Sequence, residues 1–233
     1  MRVLGILKYE CNDTAALLSR LTKREEERLF GKAEKYILGS AMGRLLLFSL
    51  FRDIFGEDNA LPEVADRFLA SGEKTGAPYL VGYPQLSVSI SHTDGACAVL
   101  ISDEGDSGVD IESHSFSQNA PESTINKILN RFYLGDFNEE AQEKNENMKT
   151  IIYIYDDENG ILRSNQEKEA VKRKEKTDEN TESFLLLYTR MEALAKASGL
   201  GVSFLPKREK YLKRSKIQTL FYDRFVVSVA TLL

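Results

Sequence analysis

The chain has 233 residues and a mass of 26.3 kDa; at 42% hydrophobic and 29% charged it carries enough apolar material for one large or two small domains, which excludes wholesale disorder. The formal charge of −5 argues against a general nucleic-acid binder, and it is unevenly spread: residues 139–182 hold 13 acidic and 8 basic side chains, leaving 23 of each elsewhere. No run approaches the roughly 18 apolar residues of a membrane span, and MRVLGILKYE carries Lys8 and no small-residue cleavage site, so a cytoplasmic protein without a signal peptide is expected.

In chain order, Arg2 to Tyr9 predicts a strand whose apolar residues are too dense for simple alternation, followed by a helix from Asp13 or Thr14 with Leu17, Leu18 and Leu21 on one face. A second helix is predicted from Glu34 to Ile54, with a wide apolar stripe interrupted by Arg44. After the polar stretch SGEKTGAPYL, Leu86, Val88 and Ile90 alternate with Ser87, Ser89 and Ser91 as a strand. A turn at His92-Thr93-Asp94-Gly95 then returns it as Ala96 to Ile101. Gly108 to Glu112 (GVDIE) is a third strand, with Val109 and Ile111 on one face and Asp110 and Glu112 on the other. Helices are predicted over Ile125 to Phe132 and Phe184 to Ser198, the latter stopped by Gly199. Between them lies an acidic, solvated insert at 139–182, in which IIYIYDDENGILRS suggests a hairpin around Asn159-Gly160. Lys216 to Leu220 and Phe225 to Ala230 form a closing hairpin. The recurrence of helices then strands predicts an α+β protein of two structurally similar lobes, 1–106 and 107–233.

Two cysteines, Cys11 and Cys97, and two histidines exclude a disulfide framework or a Cys/His zinc site, so any metal is expected on oxygen ligands. Asp110 and Glu112 lie about 7 Å apart on one strand face. Either they are a solvated edge or they share a hard cation; Mg²⁺ takes a few carboxylates together with substrate phosphate oxygens, and Glu192 is the candidate third ligand. Tyr188, Glu192 and Lys196 at i, i+4, i+8 share a helix face, so Lys196 projects beside Glu192. Taken alone, that pair is also an ordinary surface ion pair worth about 0.3–0.5 kcal/mol. His92 reads as a turn residue or as a phosphate donor at a strand end. Arg44 reads as a snorkelling side chain or as the partner of an anion.

Gly76-Ala77-Pro78-Tyr79-Leu80, SVSISH (Ser87 to His92), GVDIE (Gly108 to Glu112) and YTRMEALAK (Tyr188 to Lys196), followed by Gly199-Leu200-Gly201, resemble in order and spacing the 4'-phosphopantetheinyl transferases. The length is similar to that of the surfactin-synthetase-activating subclass, a pseudo-dimeric monomer. The resemblance covers most of the chain outside 139–182 and implies two α+β lobes related by a pseudo-twofold, with an acidic polar insert in the second. It implies Mg²⁺ on Asp110, Glu112 and Glu192, and coenzyme A phosphates on Lys196, His92 and Arg44. Ser91 and Pro78 would line the nucleotide site. Where the family carries Gly-Lys-Pro this chain has Ala77, and where it carries Trp-x-x-Lys-Glu this chain has Tyr188 and Met191. Each missing basic residue removes a contact of roughly 1.5–3 kcal/mol, so coenzyme A binding is expected either to be weaker or to be compensated by Lys74, Lys32 or Lys35.

The implied activity is transfer of 4'-phosphopantetheine from coenzyme A to a serine of an apo acyl or peptidyl carrier protein, with Glu192 as general base and Lys196 stabilising the leaving phosphate. The alternatives are an inactive relative that binds carrier or coenzyme A, and a Mg²⁺-dependent phosphoanhydride hydrolase. The basic run Lys207 to Lys216 is either a solvated loop or a docking surface for an acidic carrier. No nucleic-acid or membrane partner is expected.

Overall fold

Nearly every position of β1 (Arg2–Lys8) is apolar because the strand is enclosed on both faces and both edges. Val3 and Leu7 pack under helix α3 (Glu34–Phe55), whereas Leu4 and Ile6 point into a second core on the opposite face. The structure, a computed structural model, describes residues 1–10, 14–21, 23–56, 62–68, 74–123, 125–126, 148–156, 161–165, 179–200 and 208–233. It is an α+β protein.

Before α3 stand two short helices, α1 (Thr14–Leu18) and α2 (Lys23–Leu29), and after it a hairpin of β2 (Val64–Phe68) and β3 (Lys74–Leu80). The polar stretch SGEKTGAPYL thus ends as a strand that its composition does not announce, and β3 lies beside β4 (Ser87–Thr93). β4 turns at Asp94-Gly95 into β5 (Ala96–Ser102), so the strand runs through His92 and Thr93, which the sequence assigns to the turn. β6 (Ser107–Ser113) leads directly into helix α4 (His114–Asn119), capped by the Ser113 hydroxyl. Next come β7 (Met148–Asp156), β8 (Ile161–Asn165), the long helix α5 (Glu179–Ser198), the short α6 (Arg208–Leu212), and the closing hairpin of β9 (Ser215–Tyr222) and β10 (Phe225–Leu232).

Two sheets face each other, one ordered β4-β5-β1-β7-β8 and the other β6-β10-β9. Leu4, Ile6, Ala98 and Leu100 of the first meet Val109, Ile111, Val227 and Val229 of the second in a continuous apolar layer. α3 covers the outer face of the first sheet; α5 covers that of the second. The succession β1, α3, β4, β5 matches β6, α5, β9, β10. Each is a strand, a long helix, and a hairpin whose second strand pairs antiparallel with the first.

The segment 139–182 is not a uniformly solvated insert. β7 lies in it and pairs parallel to β1 from Arg2/Met148 to Lys8/Ile154, and β8 pairs with β7. Ile151 and Tyr153 are buried, and the Tyr153 hydroxyl donates to Asp53 of α3 at 2.6 Å. The apolar run IIYIY is thus the fourth strand of the first sheet. The segment's last residues, from Glu179, open α5; the remainder, including the Asn159-Gly160 turn, lies outside the described residues, as does most of the helix expected over Ile125 to Phe132.

Candidate functional site

β4 and β6 are the edge strands of their respective sheets and run side by side without a backbone ladder. Hydroxyl groups replace it. The Ser87 and Ser89 Oγ atoms accept from the backbone N–H groups of Ser107 and Val109, each at 3.0 Å. Further along, the Ser91 hydroxyl donates to Asp110 Oδ1 at 2.8 Å and the Thr93 hydroxyl to Glu112 Oε2 at 2.9 Å. An exposed edge is an aggregation hazard; here two edges satisfy each other through side chains spaced every second residue. The alternate residues Val88, Ile90 and His92 face α3 instead.

α5 closes the seam from outside the second sheet. Its approach depends on Gly108, since a Cβ there would lie 2.1 Å from the Ala193 carbonyl oxygen and 2.5 Å from the Ala197 nitrogen. The helix backbone therefore rests on the strand, so that Lys196 reaches Asp110 of β6 and Glu192 comes within range of its charge. Lys196 Nζ donates to Asp110 Oδ1 at 2.7 Å, to Ser91 Oγ at 2.8 Å and to the Val109 carbonyl at 3.1 Å. Asp110 is only 4% exposed, and its Oδ2 is buried with no hydrogen-bond partner among the described residues. The rotation of α5 is fixed by a buried hydroxyl chain: Thr189 Oγ1 meets Ser228 Oγ at 2.8 Å, Ser228 meets Thr219 at 3.1 Å, and Arg190 Nε donates to Thr219 at 3.0 Å.

The electrostatics follow from this crowding. Burial, then the neighbouring Asp110, pushes the Glu112 carboxyl up to about 7, against the opposing Thr93 hydrogen bond and Lys196. Glu192 is raised by burial and then by Asp110, with Lys196 pulling the other way. Burial followed by the fields of Glu192, Glu112 and Asp110 raises the Tyr188 phenol, whose ring packs on Phe116 and Phe184. Three carboxylates thus lie within range of one another's charge.

No protein-family model matches the chain, and no curated protein matches its sequence. The site therefore stands on its own geometry.

Of the residues expected from sequence, Asp110, Glu112, Glu192, Lys196 and Ser91 form one group at the seam. His92 and Arg44 belong to a second group against α3. Gly39 and Gly43 admit His92 and Ile90 so closely that a Cβ on Gly39 would lie 2.5 Å from the imidazole Nδ1. His92 Nε2 is 3.3 Å from Ser40 Oγ, and its ring meets Tyr36 edge to face at 5.4 Å. Burial, reinforced by Lys196 and opposed by Asp110, lowers the His92 imidazole, keeping it neutral at neutral pH. Arg44 follows Ser40 by one helical turn, on the same side of α3. Ser91 and His92, grouped by sequence, thus point to opposite faces of β4. Pro78 is half-buried on β3, the strand beside β4.

Lys32 stands over the Tyr36 ring at 5.7 Å, the ring that meets His92 edge to face; the side chains of Lys35 and Lys74 lie outside the described residues. Sequence reasoning missed Thr93, Ser89 and Ser40. The hydroxyl at every second position from Ser87 to Thr93 was the available signal for the first two.

Among the described residues, no three His, Cys, Asp or Glu side chains are already gathered as a metal cage. The three carboxylates nevertheless offer the oxygen ligands that suit a hard divalent cation, and one of those oxygens, Asp110 Oδ2, is buried without a partner among the described residues. Among the described residues no helix is long and apolar enough to cross a membrane.

Proposed function

We propose that the protein transfers 4'-phosphopantetheine from coenzyme A to a serine hydroxyl of an apo carrier protein, releasing adenosine 3',5'-bisphosphate. The observation that carries this reading is the pairing of three mutually coupled carboxylates, Asp110, Glu112 and Glu192, with the ammonium of Lys196 at one seam. A phosphoanhydride needs both signs of charge: oxygens for a cation and a donor for phosphate. The repeated strand, helix and hairpin succession supports two lobes related by a pseudo-twofold. A cytoplasmic monomer is the form proposed.

Asp110, Glu112 and Glu192 would hold Mg²⁺, which when bound supplies charge neutralisation on the pyrophosphate. Glu192 accepts the proton of the attacking serine, directly or through water; its raised affinity for a proton suits that role. The Lys196 ammonium stabilises the departing phosphate. Arg44 and neutral His92 donate to phosphate oxygens from the α3 side, with Lys32 over the adjoining Tyr36 ring, while Ser91 and Pro78 line the nucleotide. Tyr188 supplies an aromatic surface in place of the family tryptophan. Lys210, Lys213, Arg214 and Lys216, exposed on and after α6, offer an acidic carrier a basic face; Lys207 lies outside the described residues.

Mass spectrometry of an apo carrier incubated with coenzyme A, Mg²⁺ and the protein tests the proposal. A carrier heavier by one phosphopantetheine supports it. An unmodified carrier with adenosine bisphosphate released points to a hydrolase, and neither product points to an inactive relative.

A further inference from the structure

The Lys196 ammonium sits where a bound cation would have to act, with all three of its hydrogen bonds spent inside the protein, on Asp110 Oδ1, Ser91 Oγ and the Val109 carbonyl. A divalent cation on Asp110 and an ammonium 2.7 Å from the same carboxylate repel each other, so the two occupancies compete. Lys196 has somewhere to go: its side chain is 31% exposed, whereas Asp110 is fixed on the strand and buried. Asp110 Oδ2 is buried and has no hydrogen-bond partner among the described residues, so the carboxylate is preorganised for a second positive charge that the ammonium holds off.

We infer that Lys196 couples the two ligands of this site: a phosphate-bearing ligand draws the ammonium off Asp110, and only then does the carboxylate cluster bind a divalent cation tightly. The inference rests on the cation-and-phosphate part of the function proposed above. Two states follow. In one, Lys196 lies on Asp110 and the cation binds weakly; in the other, Lys196 lies on the anion and Asp110 faces the cation. A ligand that stabilises the second state raises affinity for the other ligand by the same factor, because linkage is reciprocal. The site thereby avoids holding a cation without the phosphoanhydride it serves.

Mn²⁺ binding, followed by electron paramagnetic resonance with and without adenosine 3',5'-bisphosphate, tests this without reference to turnover. In the wild type, the nucleotide tightens Mn²⁺ binding by about tenfold or more. Lys196→Met binds Mn²⁺ without nucleotide about tenfold more tightly than the wild type, and the nucleotide effect shrinks to roughly threefold or less. Ser91→Ala, which removes one acceptor of the ammonium, shifts affinity in the same direction by a smaller factor. The inference is overturned if wild-type affinity is indifferent to nucleotide, a comparison that needs no variant to fold. It is also overturned if Lys196→Met keeps the full nucleotide effect, since the coupling then comes from direct bridging of cation and phosphate. Carrier loading without coupling overturns the inference and leaves the function; coupling without loading does the reverse. Absence of Mn²⁺ binding in every arm overturns both.

Discussion

A glutamate that holds its proton more tightly than usual is suited to receive one, and Glu192 is such a residue because burial and Asp110 disfavour its charged form. Glu192→Gln keeps the side-chain volume and removes the basic oxygen. Carrier loading should fall by about 10²–10⁴-fold while the circular dichroism spectrum and melting temperature stay near those of the parent; an unchanged loading rate would dismiss Glu192 as the base. His92 makes a different prediction. Tyr36 and Ser40 face it from α3, Lys196 from α5 and Asp110 from β6, and burial followed by Lys196 lowers its imidazole. The folded state therefore binds fewer protons than the unfolded chain below the ordinary histidine value of about 6.5. Its contribution to stability is fully present above that value and is lost as pH falls toward the lower folded value. His92→Asn should flatten the acid-side decline in urea midpoint relative to the wild type between about pH 7 and pH 5. Parallel pH profiles for the two proteins would dismiss the account.

At the scale of elements, the contact between α5 and β6 decides whether the carboxylates meet Lys196 at all. Gly108→Ala places a methyl group where the Ala193 carbonyl stands, and neither backbone can yield cheaply. The cost expected from overpacking is about 1–3 kcal/mol, which for a chain of this size lowers the melting temperature by at least about 2 °C. Because the helix must retreat, carrier loading should fall further than the stability loss explains. A variant with wild-type melting and activity would show that α5 docks elsewhere. The same elements show what sequence makes legible. GVDIE announces itself because Val109 and Ile111 need one environment and Asp110 and Glu112 another, and α5 because Leu187 and Leu194 repeat at helical spacing. β2 and β3 are silent: VADRF and KTGAPYL hold few β-branched residues, and their pairing shifts register between Asp66 and Phe68. The serines of β4 mislead in the opposite sense. Alternating hydroxyls suggest a wet face, but Ser89 and Ser91 are buried because they replace a missing backbone ladder, and only the neighbouring strand reveals that. β7 and β8 are legible as the hairpin that IIYIYDDENGILRS suggests, but nothing in their acidic surroundings says that β7 lies parallel to β1 and extends the first sheet.

Taken whole, the molecule resists division at the point where its topology repeats. The succession from β1 to β5 ends before residue 107, yet Leu4, Ile6, Ala98 and Leu100 of that half have their apolar partners in Val109, Ile111, Val227 and Val229 of the other. β7, which covers the free edge of β1, also comes from beyond residue 107. A fragment of residues 1–106 would therefore expose one full sheet face together with the edge of its central strand, the combination that favours aggregation. Fragment 107–233 would carry β7 and β8 with no β1 to pair against. Expressed alone, neither fragment should give dispersed amide NMR resonances or a near-ultraviolet circular dichroism signal, whereas the intact chain should unfold in one transition with coincident probes. A well-folded, monomeric 1–106 would show that the shared apolar layer is dispensable. If instead the two fragments fold only when mixed, and loading activity returns with them, then the layer that joins the sheets also assembles the seam, because β4 carries Ser91 and Thr93 while β6 and α5 carry the carboxylates and Lys196.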